Sequence, residues 1–244
     1  MKDRACLLAT VAMISMAWVS GCSLPADAEG ATLDDENATA EGEEASESAL
    51  RGSDFPAPNL TAEEKATVLA GYHVDPNGVV PKALLLDAIV FFDHNKDKLK
   101  NRGFLTVVDF SKHSAKPRMF VVNMTSGAVA SYVVAHGSGS DPGNTGIATR
   151  FSNVNDSNQS SLGFYITAET YNGKHGNSMR LDGVSETNSN ARARAIVMHG
   201  ADYVSAGRAK QGRSWGCLAL STAEKDGVIA KLKGGSVIYE AHPN

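Results

Sequence analysis

Two side chains in the last third of the sequence have the types and spacing to do chemistry together: His199 and, eighteen residues on, Cys217. The chain of 244 residues holds three cysteines, Cys6, Cys22 and Cys217. The first two fall in a leader-like segment, so Cys217 is left without a disulfide partner and calls for another explanation. A thiol titrates near pH ~8.5 and attacks poorly until an imidazole accepts its proton or an imidazolium stabilises its thiolate. His199 is the residue of the right type. In the run Ser214-Trp215-Gly216-Cys217 the glycine permits a tight turn and an unhindered approach, and the Gly216 and Cys217 N–H groups could point at an oxyanion on an attacked carbonyl. The pattern predicts thiol-based acyl transfer, with Cys217 as nucleophile, His199 as base, and Ser214, Gly216 and Gly200 shaping the catalytic elbow. Most Cys and His pairs are instead an inert buried thiol and a satisfied core histidine. The glycines beside both residues favour the reactive reading.

Such a site needs rigid elements around it. The apolar run 195–198 predicts a strand delivering His199. Short β-rich runs at 105–110, 119–124, 129–136, 161–170 and 236–241 predict a sheet, with 171–177 as a turn and 179–183 able to approach the site. Ser221 with Glu224 makes a capping-box pattern for a helix reaching about residue 233, where Gly234 and Gly235 end it. Ahead of the sheet, 60–99 reads as two helices, the first capped by Thr61 and Glu64 and the second opened by Pro81. The fold class is therefore mainly β, with flanking helices and a helical segment on the amino-terminal side.

Other chemistries fit poorly. One cysteine and scattered histidines do not supply the three or four ligands of a transition-metal site, and no cofactor is expected. Asp93, Asn95 and Asp97 begin like a calcium loop, but Lys98 stands where the turn needs glycine and Phe104 where the bidentate acid belongs. The glycine-rich stretch 136–146 lacks the Gly-Lys-Ser/Thr of a phosphate-binding loop and reads as a mobile active-site loop, with His136 a polar group near the substrate or a plain loop residue.

The front of the chain has its own logic. Lys2 and Arg4, an apolar run over 6–19, and Val19-Ser20-Gly21-Cys22 form an export signal too short to span a bilayer. The quartet resembles the bacterial lipobox, which implies lipidation of Cys22 and attachment to a membrane. Ser23 after it resembles lipoproteins sent to the outer membrane, facing the periplasm. Residues 23–50 carry nine acidic side chains and no basic or aromatic one, a composition that predicts a disordered tether. From Arg51 onward 21 Lys and Arg face 17 Asp and Glu, a mildly basic balance suited to an anionic polymer; nothing points to nucleic acid. The expected organisation is a signal at 1–21, a tether at 22–55, a helical segment at 56–103 and a catalytic domain at 104–244.

The constellation His199, Ser214, Gly216, Cys217 resembles the signature of the L,D-transpeptidases of bacterial cell walls. The likeness to the branch with HGADYV and GRSWGC runs on through FSN, SSLGFY, ETYNGKHG and RLDG. It implies an L,D-transpeptidase-type β-sandwich, peptidoglycan stem peptides as partners, and contacts to them from Arg213, Trp215, Tyr203 and His136. It further implies that Cys217 attacks the carbonyl of the L-centre of a stem tetrapeptide, D-alanine leaves, and an amine takes the acyl group. Water or a protein lysine could take it instead, and a catalytically idle wall-binding lipoprotein is the rival from another class. Two departures stand out: Trp215 where many members carry a second histidine, and Ala219 where many carry Asn or Arg.

Overall fold

The computed structural model describes residues 50–243; the export signal, Cys22 and all but the end of the acidic segment lie outside them. The two expected helices form. Helix α1 (Ala62–Ala70) starts where Thr61 Oγ1 accepts from the Glu64 N–H and the Glu64 carboxylate accepts from the Thr61 N–H at 2.8 Å, a reciprocal cap that satisfies two orphan donors. Helix α2 (Lys82–Asn95) begins just after Pro81 and buries Leu84, Leu85, Ala88, Ile89, Phe91 and Phe92. The pair is joined by Lys65 to Asp87 at 2.8 Å.

The strands follow as β1 (Phe104–Asp109), β2 (Met119–Asn123), β3 (Val129–Tyr132), β4 (His136–Gly137), β5 (Gly163–Gly173), β6 (Gly176–Gly183), β7 (Val197–Ala201), β8 (Arg213–Ser214), β9 (Leu218–Ser221) and β10 (Val237–Ala241), with α3 (Lys225–Leu232) before the last. Eight of them make one sheet in the order β3-β2-β1-β10-β5-β6-β7-β9, while β4 and β8 pair separately. The chain is mainly β with flanking helices. Because neighbours along a strand alternate faces, β1 and β2 send Leu105, Val107, Phe120 and Val122 towards α2, and Val108, Met119 and Val121 towards a second core that includes Val228, Ile229 and Leu232 of α3. Stacked rings of Phe91, Phe164 and Tyr239, at 3.9 and 4.4 Å between successive centroids, fasten α2 to β5 and β10. The core under α2 takes no residue from β7 or β9, which leaves that end of the face for the site.

Three local expectations need correction. The run 129–136 is not one strand: β3 stops at Tyr132, because the buried Arg118 guanidinium takes the Val134 carbonyl through Nε at 3.0 Å and Nη2 at 2.6 Å and draws the chain out of the sheet. The turn expected over 171–177 shrinks to Lys174 and His175, since Gly173 and Gly176 still pair and Tyr171 remains a strand residue opposite Ser178. Helix α3 starts at Lys225, not next to Ser221, which is the last residue of β9; the Ser221 hydroxyl reaches Glu224 at 2.6 Å, but Glu224 supplies no side-chain cap.

Candidate active site

Strand β7 holds His199 by pairing on both sides. Met198 lies opposite Met179 of β6 and Leu218 of β9, and all three belong to the core on the α3 side. His199, paired with Ala219, therefore faces the other way, with Arg180 and Val197. The ring is fully buried, and its Nδ1 lies 3.0 Å from the Gly200 carbonyl. A carbonyl can only accept, so Nδ1 carries the proton in the neutral ring and Nε2 is left as the basic nitrogen. The buried Lys225 side chain lies against Gly200, where a Cβ would stand 2.3 Å from Lys225 Cδ and oblige that chain to move.

Cys217 sits immediately before β9, almost wholly buried, with its Sγ 3.7 Å from the Ala195 carbonyl. The elbow is pinned by Ser214, whose hydroxyl donates to the Cys217 carbonyl at 2.8 Å and accepts from the Gly216 N–H at 3.1 Å. Gly216 adopts φ +123°, and a Cβ on it would fall 2.8 Å from the Gln159 carbonyl, so no other residue fits. This corrects one expectation. The Gly216 N–H, one of the two amides expected to face an oxyanion, is used inside the elbow.

The tip of the β5–β6 hairpin closes over the pair. The His175 ring packs on His199 with centroids 4.4 Å apart. Tyr171 lies close enough to Cys217 to feel its charge; burial raises the phenol's pKa, the nearby Arg180 lowers it and Cys217 raises it further. Arg180 rests over the Tyr171 ring at 4.8 Å and reaches Glu169 at 3.2 Å. Arg192 then grips Glu169 through both carboxylate oxygens, at 2.7 and 3.0 Å, and Asp182 at 2.5 Å; the hydrogen bonds from Arg192 hold the Glu169 carboxyl below its usual range. Beyond this strip lies a cavity of about 300 Å³ bordered by Ile166, Glu169, Asp182, Arg192 and Lys100. It is not at the thiol. Asp182 and Ser178 are four residues apart on β6, which separates the cavity from the Tyr171 end by roughly 13 Å.

Of the four residues expected to touch substrate, Trp215 alone sits in the elbow, half-buried between Ser214 and Gly216. Arg213 turns back to the Asp141 carbonyl at 2.6 Å and clamps the loop that follows β4. Tyr203 packs against a small apolar cluster of Val133, Ala135, Ala201, Val204 and Ala219. Ala219 is fully buried there, so the Asn or Arg of related signatures would have no polar partner in that cluster.

His136 is closed off from substrate. Its Nδ1 accepts from Arg118 Nη2 at 2.8 Å, and its Nε2 faces Asp141 Oδ2 at 3.5 Å. Burial, with Arg118 adding to it and Asp141 opposing, pushes its pKa down to about 3. Below the ordinary histidine pKa of about 6.5 an unfolded chain binds a proton that the folded ring refuses, so stability falls as the pH drops from there towards 3, by up to about 1.4 kcal/mol per pH unit. In His136→Gln, which can still accept from Arg118 and donate to Asp141, that contribution disappears. Urea unfolding between pH 6.5 and 4.5 should show wild type losing stability more steeply than the variant; equal slopes would refute this reading.

His199 follows and Cys217 precedes the paired Met198 and Leu218, which puts an imidazole and a thiol at neighbouring strands, the two groups that acyl transfer through a thioester uses. The sequence matches the L,D-transpeptidase catalytic domain family over residues 77–240, a span that includes α2 and every residue of the site. The chain belongs to that family. Among solved structures it is similar to Bd1075 of Bdellovibrio bacteriovorus (11% identity, 60% of this chain and 49% of that one, TM-score 0.36). It is also similar to the helical cell shape determining protein Pgp2 of Campylobacter jejuni (10%, 60% and 50%, 0.37). A third is an L,D-transpeptidase of Xylanimonas cellulosilytica (14%, 75% and 71%, 0.35). The chain thus spans about half the length of the first two. No curated protein matches the sequence.

Tyr171 and His175 were not among the expected site residues, because they sit in a stretch rich in turn-forming residues.

Proposed function

We propose that the protein is a peptidoglycan L,D-transpeptidase acting through Cys217. The observation that carries this is the orientation of His199, whose Nδ1–H is tied to the Gly200 carbonyl so that Nε2 is the nitrogen that can take the thiol proton. The thiolate adds to the carbonyl carbon of the L-centre in a stem tetrapeptide, with the Cys217 N–H facing the oxyanion. The C–N bond to D-alanine then breaks, the leaving amine takes the proton back from His199, and a thioester remains. An amine of a second stem attacks the thioester, its proton passes to His199, and a new amide forms as the thiol is restored. The charged strip from Tyr171 to the cavity beside Arg192 offers room and opposite charges for the distal part of a stem.

Incubating the protein with disaccharide tetrapeptides and reading the products by mass tests the proposal. Cross-linked dimers with released D-alanine support it. Tripeptides alone would make it a carboxypeptidase, and unchanged substrate would leave a wall-binding module. We further propose that Cys22 is lipidated and holds the domain at the periplasmic face of a membrane, through the acidic segment, on the strength of Val19-Ser20-Gly21-Cys22. Labelled palmitate should enter the wild type and not Cys22→Ala; equal labelling of both would refute this.

A further inference from the structure

Arg194 stands where the chain leads into β7, one residue before Ala195, whose carbonyl faces the Cys217 thiol. Its guanidinium donates to the Ser152 carbonyl at 2.7 Å, the Gln159 carbonyl at 2.5 Å, and the hydroxyls of Ser157 and Ser161 at 3.3 Å each. All four acceptors are neutral. The side chain also packs against the elbow itself, since a Cβ on Gly216 would lie 3.2 Å from Arg194 Nη2. A planar, permanently charged group has thus been fixed beside the residue preceding the thiol, with its forks spent on oxygens that bring no charge to balance it.

The surroundings narrow down which anion it meets. The acidic groups whose charges reach Arg194 are Tyr165, Cys217 and Glu240. Tyr165 and Glu240 are both fully buried, and burial raises the pKa of each, which works against their charged forms. Cys217 is the third of these groups, and it follows directly on the Gly216 that Arg194 packs against. Among the described residues, Tyr171 of β5 interacts with Cys217 and with Arg180 of β6, and His175 at the hairpin tip packs against His199 of β7. Arg180 already has Glu169 at 3.2 Å as its counter-ion. Burial works against the Arg194 charge, and a thiolate at Cys217 favours it.

We propose that Arg194 is a positioning residue for the acyl transfer: its guanidinium, held by four neutral oxygens against the Gly216 elbow, supplies the fixed positive charge that stabilises Cys217 as a thiolate. The proton still goes to His199 Nε2, and Arg194 forms and breaks no bond to substrate. It lowers the cost of the anion before attack and again when the thioester is cleaved. The proposal rests on Cys217 being the nucleophile.

The test is alkylation of the full-length protein by iodoacetamide between pH 6 and 9.5, with modification mapped to Cys217 and melting temperature recorded at each pH. Arg194→Gln should react about tenfold more slowly at pH 7, with its profile moved to the alkaline side and the wild-type plateau regained at high pH. Arg194→Lys, which keeps the charge and gives up the fork, should stay close to the wild-type profile even if it melts earlier. A merely structural clamp on residues 152–161 predicts the reverse: lower melting for both variants and no movement of either profile, which would overturn the proposal. A Lys profile displaced as far as the Gln profile would overturn it too. The nucleophile reading fails separately, if wild-type Cys217 itself remains unmodified up to pH 9.

Discussion

Cys217→Ser removes cross-linking of disaccharide tetrapeptides, with turnover falling by at least on the order of 10³, while the melting temperature stays within a few degrees of wild type. The first half follows from acidity. A serine hydroxyl is far harder to ionise than a thiol, and His199 alone cannot supply the difference. The second half follows from the local geometry: the thiol donates to the Ala195 carbonyl, which a hydroxyl can also satisfy, and the elbow is pinned by Ser214 and by the φ of Gly216, neither of which changes. Retained turnover in this variant would remove Cys217 from the chemistry. A collapse in melting temperature would instead assign it to packing.

His199→Ala should slow acylation of Cys217 by something on the order of 10² to 10⁴, the usual range for loss of a positioned general base. The effect should separate from the damage to the fold. His199 is fully buried and packed at a tilt against His175, so alanine opens a cavity in β7 and should lower stability by a few kcal/mol. A rate measured well below the melting transition reports the lost base. Because the Nδ1–H bond to Gly200 fixes the ring, an asparagine at 199 should not restore the rate, having no basic nitrogen to offer. A variant with wild-type single-turnover rates would show that the thiol is activated by another group.

The parts of this molecule governed by local physics were legible in the sequence. The Thr61 and Glu64 cap forms because its two partners are three residues apart on one turn. The positions of His199 and Cys217 were foreshadowed by the apolar run before one and the glycine before the other, and the pairing of Met198 with Leu218 sets them at neighbouring strands. What the sequence could not show depends on contacts made over long separations. The break after β3 is caused by Arg118, whose burial cannot be inferred from a charged residue in a β-rich run. His136 looked like a loop histidine and is instead enclosed by Arg118 and Asp141. Arg213 looked poised for substrate and turns to the Asp141 carbonyl. Tyr171 and Arg194 became neighbours of the thiol only when β5 ran on to Gly173 and the 152–161 segment folded over the guanidinium.

Whether Cys217 carries the acyl group is decided by intact-protein mass spectrometry of the full-length chain, quenched in acid after brief exposure to disaccharide tetrapeptide. The expected result is a mass gain equal to the substrate less D-alanine, mapped to the peptide containing Cys217, released by hydroxylamine as a thioester should be, and missing from Cys217→Ser. Cross-linked product accumulating with no adduct on Cys217, or an adduct that survives in Cys217→Ser, would contradict it.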